Sequence, residues 1–261
     1  MRKLFKPVLI LSLVTLAISC KKDAKVAGNI PQDVLDKISA LGFSSKNVIQ
    51  DADGYIVEGD ILITPQHLSS SPFDAQLLRI AGDEQYRTFN LVTALPRTIT
   101  VSVSSRLPSS IVAATDEAIN RYNAESLLLT FTRVSSGGDI DIVKGSGNYL
   151  ASAGFPTSAG QPYGQVKVNT TQLNGQPLNT VASVIAHEIG HCIGFRHTDY
   201  MSRQYSCGGA PSNEGAGTIG AVLIPGTPSG PDSGSWMLSC IGSGQNRPFN
   251  NNDKVALTYL Y

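Results

Sequence analysis

Three of the four histidines of this 261-residue chain fall in one stretch, His187-Glu188-Ile189-Gly190-His191-Cys192-Ile193-Gly194-Phe195-Arg196-His197. That spacing constrains the fold more than any other feature. Side chains four apart on a helix stand one above the other on one face, so His187 and His191 present two imidazoles to one point. A helix running on past His191 would carry His197 away from that face. The chain must therefore turn, and Gly194 supplies the left-handed residue that ends a helix. The reading is an apolar helix over 179–192, capped by Asn179 or Thr180, a stop at Gly194, and a return that brings His197 to the same point.

Three imidazole nitrogens at about 2.0–2.1 Å suit one zinc ion and leave its fourth position to water. Zinc lowers the pKa of such a water toward about 7. Glu188 lies beside that open side, placed to take the proton as general base and pass it to a leaving amine. The chemistry expected of His187, His191, His197 and Glu188 is hydrolysis of a peptide bond. The rival is a zinc-stabilised binding lipoprotein that no longer cleaves, against which the intact Glu188 argues. A second rival is an amidase acting on cell-envelope peptides through the same chemistry.

Upstream, residues 98–103 alternate as a strand, and 108–123 carry Ile111, Val112, Ala114, Ala118, Ile119 and Tyr122 at helical spacing. Residues 127–134, 139–143 and 165–169 read as further strands, and 253–261 as a closing helix. Before them lie a short amphipathic helix over 31–41, an extended run over 55–63, and a polar stretch over 64–82 containing His67, read as a solvated surface residue. This N-terminal part has few core-forming runs and is thin for a domain of its own.

Arg2, Lys3 and Lys6 precede an uncharged apolar run over 8–18. It is too short to cross the roughly 30 Å of a bilayer and reads as an export signal. The run ends in Leu16-Ala17-Ile18-Ser19-Cys20, which resembles a bacterial lipobox, with Ala17 where a Leu is usual. Residues 1–19 are then a signal peptide and Cys20 the acylated N-terminus. The expected location is the bacterial cell envelope, lipid-anchored and facing the periplasm or the surface, or outside the cell if the lipobox is not used. In an oxidising compartment Cys192, Cys207 and Cys240 leave one disulfide and one free thiol. Cys207 and Cys240 flank a Gly, Ser and Pro-rich segment and are the preferred pair, since Cys192 falls on the helix. Lys plus Arg and Asp plus Glu both number 20, and no basic run stands out, which argues against nucleic acid as a partner. The partners expected are a protein or peptide substrate, and a membrane through the lipid anchor alone.

The pattern His187-Glu188-x-x-His191-x-x-Gly194-x-x-His197 resembles the signature of the metzincin zinc peptidases, and His-Glu-Ile-Gly-His at 187–191 resembles the bacterial dual-action HEIGH metallopeptidase family. Ser235-Trp236-Met237 is similar to the Met-turn, which would make Met237 a packing residue beneath the histidines. The resemblance covers about 95–261. It implies an α+β zincin domain, with a mixed twisted sheet, active-site helix, Met-turn and C-terminal helix, preceded by a tether and pro-segment over 20–94. It also implies one catalytic Zn2+ and an edge strand near 147–156 that pairs with extended substrate. The sequence departs from astacins at Ser239, where they carry a Tyr. No Cys before the catalytic part other than Cys20 is present to act as a cysteine switch. Glu58-Gly59-Asp60-Ile61 is similar to the astacin propeptide motif, which makes Asp60 a candidate latency ligand, with release by a cut between about 69 and 97. The other reading of Glu-Gly-Asp is a plain turn between two strands. Asp199 and Tyr200 follow His197 closely enough to orient it, or form a surface turn. Asp139 and Asp141 share a strand face, and with only two carboxylates a Ca2+ site is unsupported.

Overall fold

The computed structural model describes residues 30–69, 85–209, 221–228 and 231–261; the signal segment at 1–19 and Cys20 lie outside them. α1 (Gln32–Ala40) buries Ile38. The run expected to extend over 55–63 is folded on itself. β1 (Ile49–Asp51), β2 (Gly54–Val57) and β3 (Ile61–Ile63) form an antiparallel meander in which Val57 faces Ile61. The reversal falls on Glu58 and Gly59, whose φ angles of 54° and 97° turn the chain within three residues. α2 (Pro65–Ser69) follows where a polar loop was expected. His67 on it is half-buried rather than solvated, and its Nδ1 accepts from the Thr64 amide at 3.3 Å.

After β4 (Tyr86–Arg87) comes the main alternation. β5 (Arg97–Val103), α3 (Ser109–Asn123), β6 (Leu129–Val134), β7 (Ile140–Lys144), β8 (Ala151–Ala153) and β9 (Gln165–Val168) occur in that order. β5 lies between β6 and β7, parallel to both; β7 runs parallel to β9, and β8 runs antiparallel to β9. The whole is a mixed eight-stranded sheet of order β1-β2-β3-β8-β9-β7-β5-β6. The N-terminal meander thus continues the sheet, because β3 pairs with β8 in parallel, Ile61 beside Ala153.

α4 (Leu178–Ile193) packs against α3, β8 and β9. It starts one residue before the expected Asn179 cap, behind Pro177, whose φ of −57° already suits a helix start. Its apolar residues do not form a stripe, and from Thr180 to Ile193 every residue is buried. A helix apolar on all sides belongs in a core, so each polar group it carries must find a partner there. Gly194 ends it with φ 111°. A Cβ at Gly194 would lie 2.7 Å from a Leu91 methyl and 3.0 Å from the Asn90 carbonyl oxygen. β10 (Phe195–Arg196) then pairs with β4, which also holds β11 (Val222–Leu223), beyond the short α5 (Gln204–Cys207). α6 (Asn251–Leu260) closes the chain behind a capping box made by Asn250 and Asp253.

Candidate metal centre

His187, His191 and His197 meet Asp60 so that one ligand atom of each lies within 4.8 Å of every other. His191 Nε2 and His197 Nε2 are 3.2 Å apart, His187 Nε2 is 3.4 Å from Asp60 Oδ2, and His197 Nε2 is 3.2 Å from the same oxygen. A tetrahedral ion with bonds of about 2.0–2.1 Å places its ligand atoms about 3.3–3.4 Å apart. The residues therefore fit a zinc-sized cation.

The ring orientations support that fit. His187 Nδ1 is 2.8 Å from the Trp236 carbonyl oxygen, and His191 Nδ1 is 2.8 Å from that of Phe195. A carbonyl only accepts, so each Nδ1 carries the hydrogen and each Nε2 turns a lone pair toward the common point. His187 Nε2 and Asp60 Oδ1 are buried without a hydrogen-bond partner among the described residues. Such orphans are rare unless a ligand meets them. Burial, reinforced by the two neighbouring imidazoles, lowers the His191 pKa well below its usual value. Burial opposes charge on Asp60 as well, yet His197 and His187 outweigh it and hold the carboxyl well below the usual range.

Glu188 is 2% exposed, with Oε2 unpartnered, and lines the same cavity as His187. Burial, helped by Asp60, raises its pKa well above the ordinary carboxylate value. Met237 is fully buried beneath the helix, where a Cβ added to Gly190 would come within 2.6 Å of its Sδ. The carbonyls of residues 236 and 237 serve the site from below, the first holding His187 and the second accepting from the Thr198 amide at 3.0 Å.

Asp60 is brought to the histidines by the three-residue loop between β2 and β3, so the turn reading and the ligand reading of Glu-Gly-Asp describe the same atoms. Glu58 is the residue that sequence reasoning missed. Fully buried, it accepts from Arg196 Nη2 at 3.2 Å and 3.4 Å, and its Oε2 lies 3.6 Å from His197 Nδ1. The signal available was an acidic residue two before Asp60, but its direction depends on a positive φ that no pattern announces. Asp199 takes a different place from the one expected: it accepts from Ser239 N and Oγ and from Ser206 Oγ. Tyr200 packs edge-on to Tyr86. Neither supports His197 directly. Asp139 accepts from Thr100 and Asp141 from Ser102, so both carboxylates are occupied within the sheet. Cys207 and Cys240 are joined, and Cys192 is a buried free thiol.

No curated protein matches the chain. Two solved structures of myroilysin are similar to it at 15% identity and a TM-score of 0.41. One alignment covers 66% of this chain and 82% of that one, the other 77% and 98%. The sequence model described as dual-action HEIGH metallo-peptidase matches residues 56–261, a span that takes in Glu58, Asp60 and all three clustered histidines. With a histidine cluster of metal-binding geometry on a buried helix, and a family match over most of its length, this chain belongs to the dual-action HEIGH metallopeptidase family and is a metallopeptidase hydrolase.

Proposed function

We propose that the protein is a zinc-dependent endopeptidase made in a latent form, with His187, His191 and His197 as permanent ligands and Asp60 as a removable fourth. The observation that carries this reading is the convergence of three imidazoles and one carboxylate, with one ligand atom of each within 4.8 Å of every other. When bound, zinc supplies Lewis-acid polarisation of a carbonyl and makes water acidic near neutral pH. Glu188 takes the proton of the attacking water and delivers it to the departing amine nitrogen. The Trp236 and Phe195 carbonyls hold the His187 and His191 rings in the ligating tautomer throughout, and the Met237 turn is their support.

Latency rests on two features of one segment. Asp60 occupies the position a substrate carbonyl needs, and β3 lies along β8, whose backbone is the surface an extended peptide would pair with. Gln85 donates to Ser235 Oγ at 3.1 Å and to Asp253, and β4 is paired on both sides. A releasing cut therefore falls before residue 85, which leaves β4 in place. On this reading residues 1–19 are the signal peptide, the tether and pro-segment run from 20 to that cut, and the catalytic part follows it, taking in β4 ahead of the 95–261 segment. Cys20 anchors the protein in the bacterial envelope, a placement that rests on the sequence alone.

The test is zinc content and casein hydrolysis for the full-length chain and for Asp60→Ala, Glu188→Ala and the pair. One zinc per chain throughout, more cleavage with Asp60→Ala, and none with Glu188→Ala are expected. Absence of zinc refutes the centre, and unchanged activity in Asp60→Ala refutes latency. Zinc with no cleavage by any variant moves the reading to a binding protein or an amidase.

A further inference from the structure

A cavity of about 230 Å³ opens beside His187 and Glu188. One wall is Ser183 and Val184 of α4; the other is Leu238, Ile241 and Arg247, from the chain that follows Met237. In those two walls Arg247 is the only charged side chain. It is held by rigid neighbours: its amide donates to Ser183 Oγ at 2.8 Å, and Nη1 donates to the Cys240 carbonyl at 2.9 Å. Cys240 is itself bridged to Cys207, and its amide donates to Ser206 Oγ at 3.0 Å.

Among the described residues no carboxylate hydrogen-bonds this guanidinium; Asp199 and Asp253 act on it only through space. Burial disfavours its charge, yet an arginine keeps its proton in a protein. Arg203 also lines the cavity, but its charge bears on Glu58. A guanidinium partly removed from water, with donors to spare, is a selector for a planar anion, which it grips through two parallel hydrogen bonds. The surrounding Val184, Leu238 and Ile241 suit the methylenes that carry such an anion.

We infer that this cavity receives the side chain of a residue flanking the scissile bond, and that Arg247 makes that side chain acidic, Asp or Glu. The inference rests on the peptidase reading above. Arg247 is a specificity-determining residue and touches no reacting bond.

The test uses the full-length chain with Asp60→Ala, with and without Arg247→Gln, on a peptide library whose products are sequenced by mass spectrometry. Matched peptides with Glu or Gln at the position so identified then give kcat/KM ratios. Expected is at least a tenfold preference for Glu over Gln at one flanking position, falling at least tenfold in Arg247→Gln. Arg247→Glu should shift the preference to Lys. No acidic preference in the parent, or one that Arg247→Gln leaves intact, overturns the inference. Binding of the Glu and Gln peptides to the zinc-loaded Asp60→Ala/Glu188→Ala chain, followed by fluorescence of Trp236, separates the two readings. If nothing is cleaved but the Glu peptide binds tighter through Arg247, hydrolysis fails and the acidic pocket stands. Equal binding of both peptides sinks the pocket.

Discussion

Replacing Glu58 by Gln removes one charge from a fully buried ion pair, that with Arg196, and changes almost no volume. Both side chains are 0% exposed. Arg196 Nε and Nη1 have no hydrogen-bond partner among the described residues, so Glu58 is what neutralises that guanidinium. Losing one partner of a buried pair costs about 3–5 kcal/mol, since the other charge stays in the interior. Two contacts soften the loss: the Arg196 guanidinium lies 4.4 Å from the Phe43 ring centre and 5.4 Å from that of Tyr200. Cation–π attraction there is worth about 0.5–2 kcal/mol, and Gln still offers an amide oxygen to Nη2. The lower end, about 3 kcal/mol, is the expected cost, which for a chain of this size lowers Tm by about 6–12 °C. A second readout comes from His197, whose Nδ1 faces Glu58. At 3.6 Å that contact is electrostatic rather than a hydrogen bond, so zinc affinity should fall by about 10-fold, the lower end of what losing a group that orients a ligating imidazole costs. Thermal unfolding and zinc titration of Glu58→Gln, Arg196→Met and Glu58→Leu/Arg196→Met make the assay. The double variant should recover most of the stability, because two apolar groups leave no stranded charge. A Tm within about 2 °C of the parent for Glu58→Gln, or a double variant worse than both singles, would refute the reasoning.

Gly190→Ala places a Cβ 2.6 Å from Met237 Sδ and 3.2 Å from Trp236 Nε1; overpacking of this kind costs about 1–3 kcal/mol. Urea denaturation should show it, and Met237→Ala in the same chain should relieve part of it. Asp253 is raised by burial to about 6 from an ordinary 3.8, against hydrogen bonds from Asn250, Trp236, Ser235 and Gln85 and with Arg247 acting through space. A carboxyl whose pKa is higher folded than unfolded favours the fold fully below pH 3.8 and loses that contribution as pH rises through about 6. The stability difference between the parent and Asp253→Asn should therefore change by up to about 3 kcal/mol between pH 4 and pH 7; a difference independent of pH would sink the assignment. Cys207 and Cys240 are 33 residues apart, and a loop of that length stabilises by about 3–4 kcal/mol when closed. Cys207→Ser/Cys240→Ser should lower stability by that order, and peptide selectivity should broaden as the Arg247 wall loosens.

Most of the order of elements was legible from the sequence. Ile99 and Val101 alternate with polar neighbours, Ile111, Ala114, Ala118 and Tyr122 recur at helical spacing, and both patterns lead to buried faces. Two elements were not. The run at 55–63 reads as one strand because Tyr, Ile, Val and Leu favour extended backbone on either side of the turn; the reversal depends on positive φ at Glu58 and Gly59. α2 was lost because Pro65 to Ser69 carries no apolar stripe and holds its shape through Thr64 and His67.

The sequence by itself determined the local chemistry: imidazoles one helical turn apart, a carboxylate next to the first, and a glycine that lets the chain come back with the third. These follow from backbone geometry within a dozen residues, and no partner is needed to place them. Only the tertiary structure decided which carboxylates face the cluster. Asp60 and Glu58 stand 137 and 138 residues before the groups they meet on His197 and Arg196, and Asp199, two residues after His197, turns to Ser239 and Ser206 instead. Such choices depend on the register of β3 against β8 and on where the main-chain carbonyls of 195 and 236 come to rest, which is settled by packing across the whole sheet.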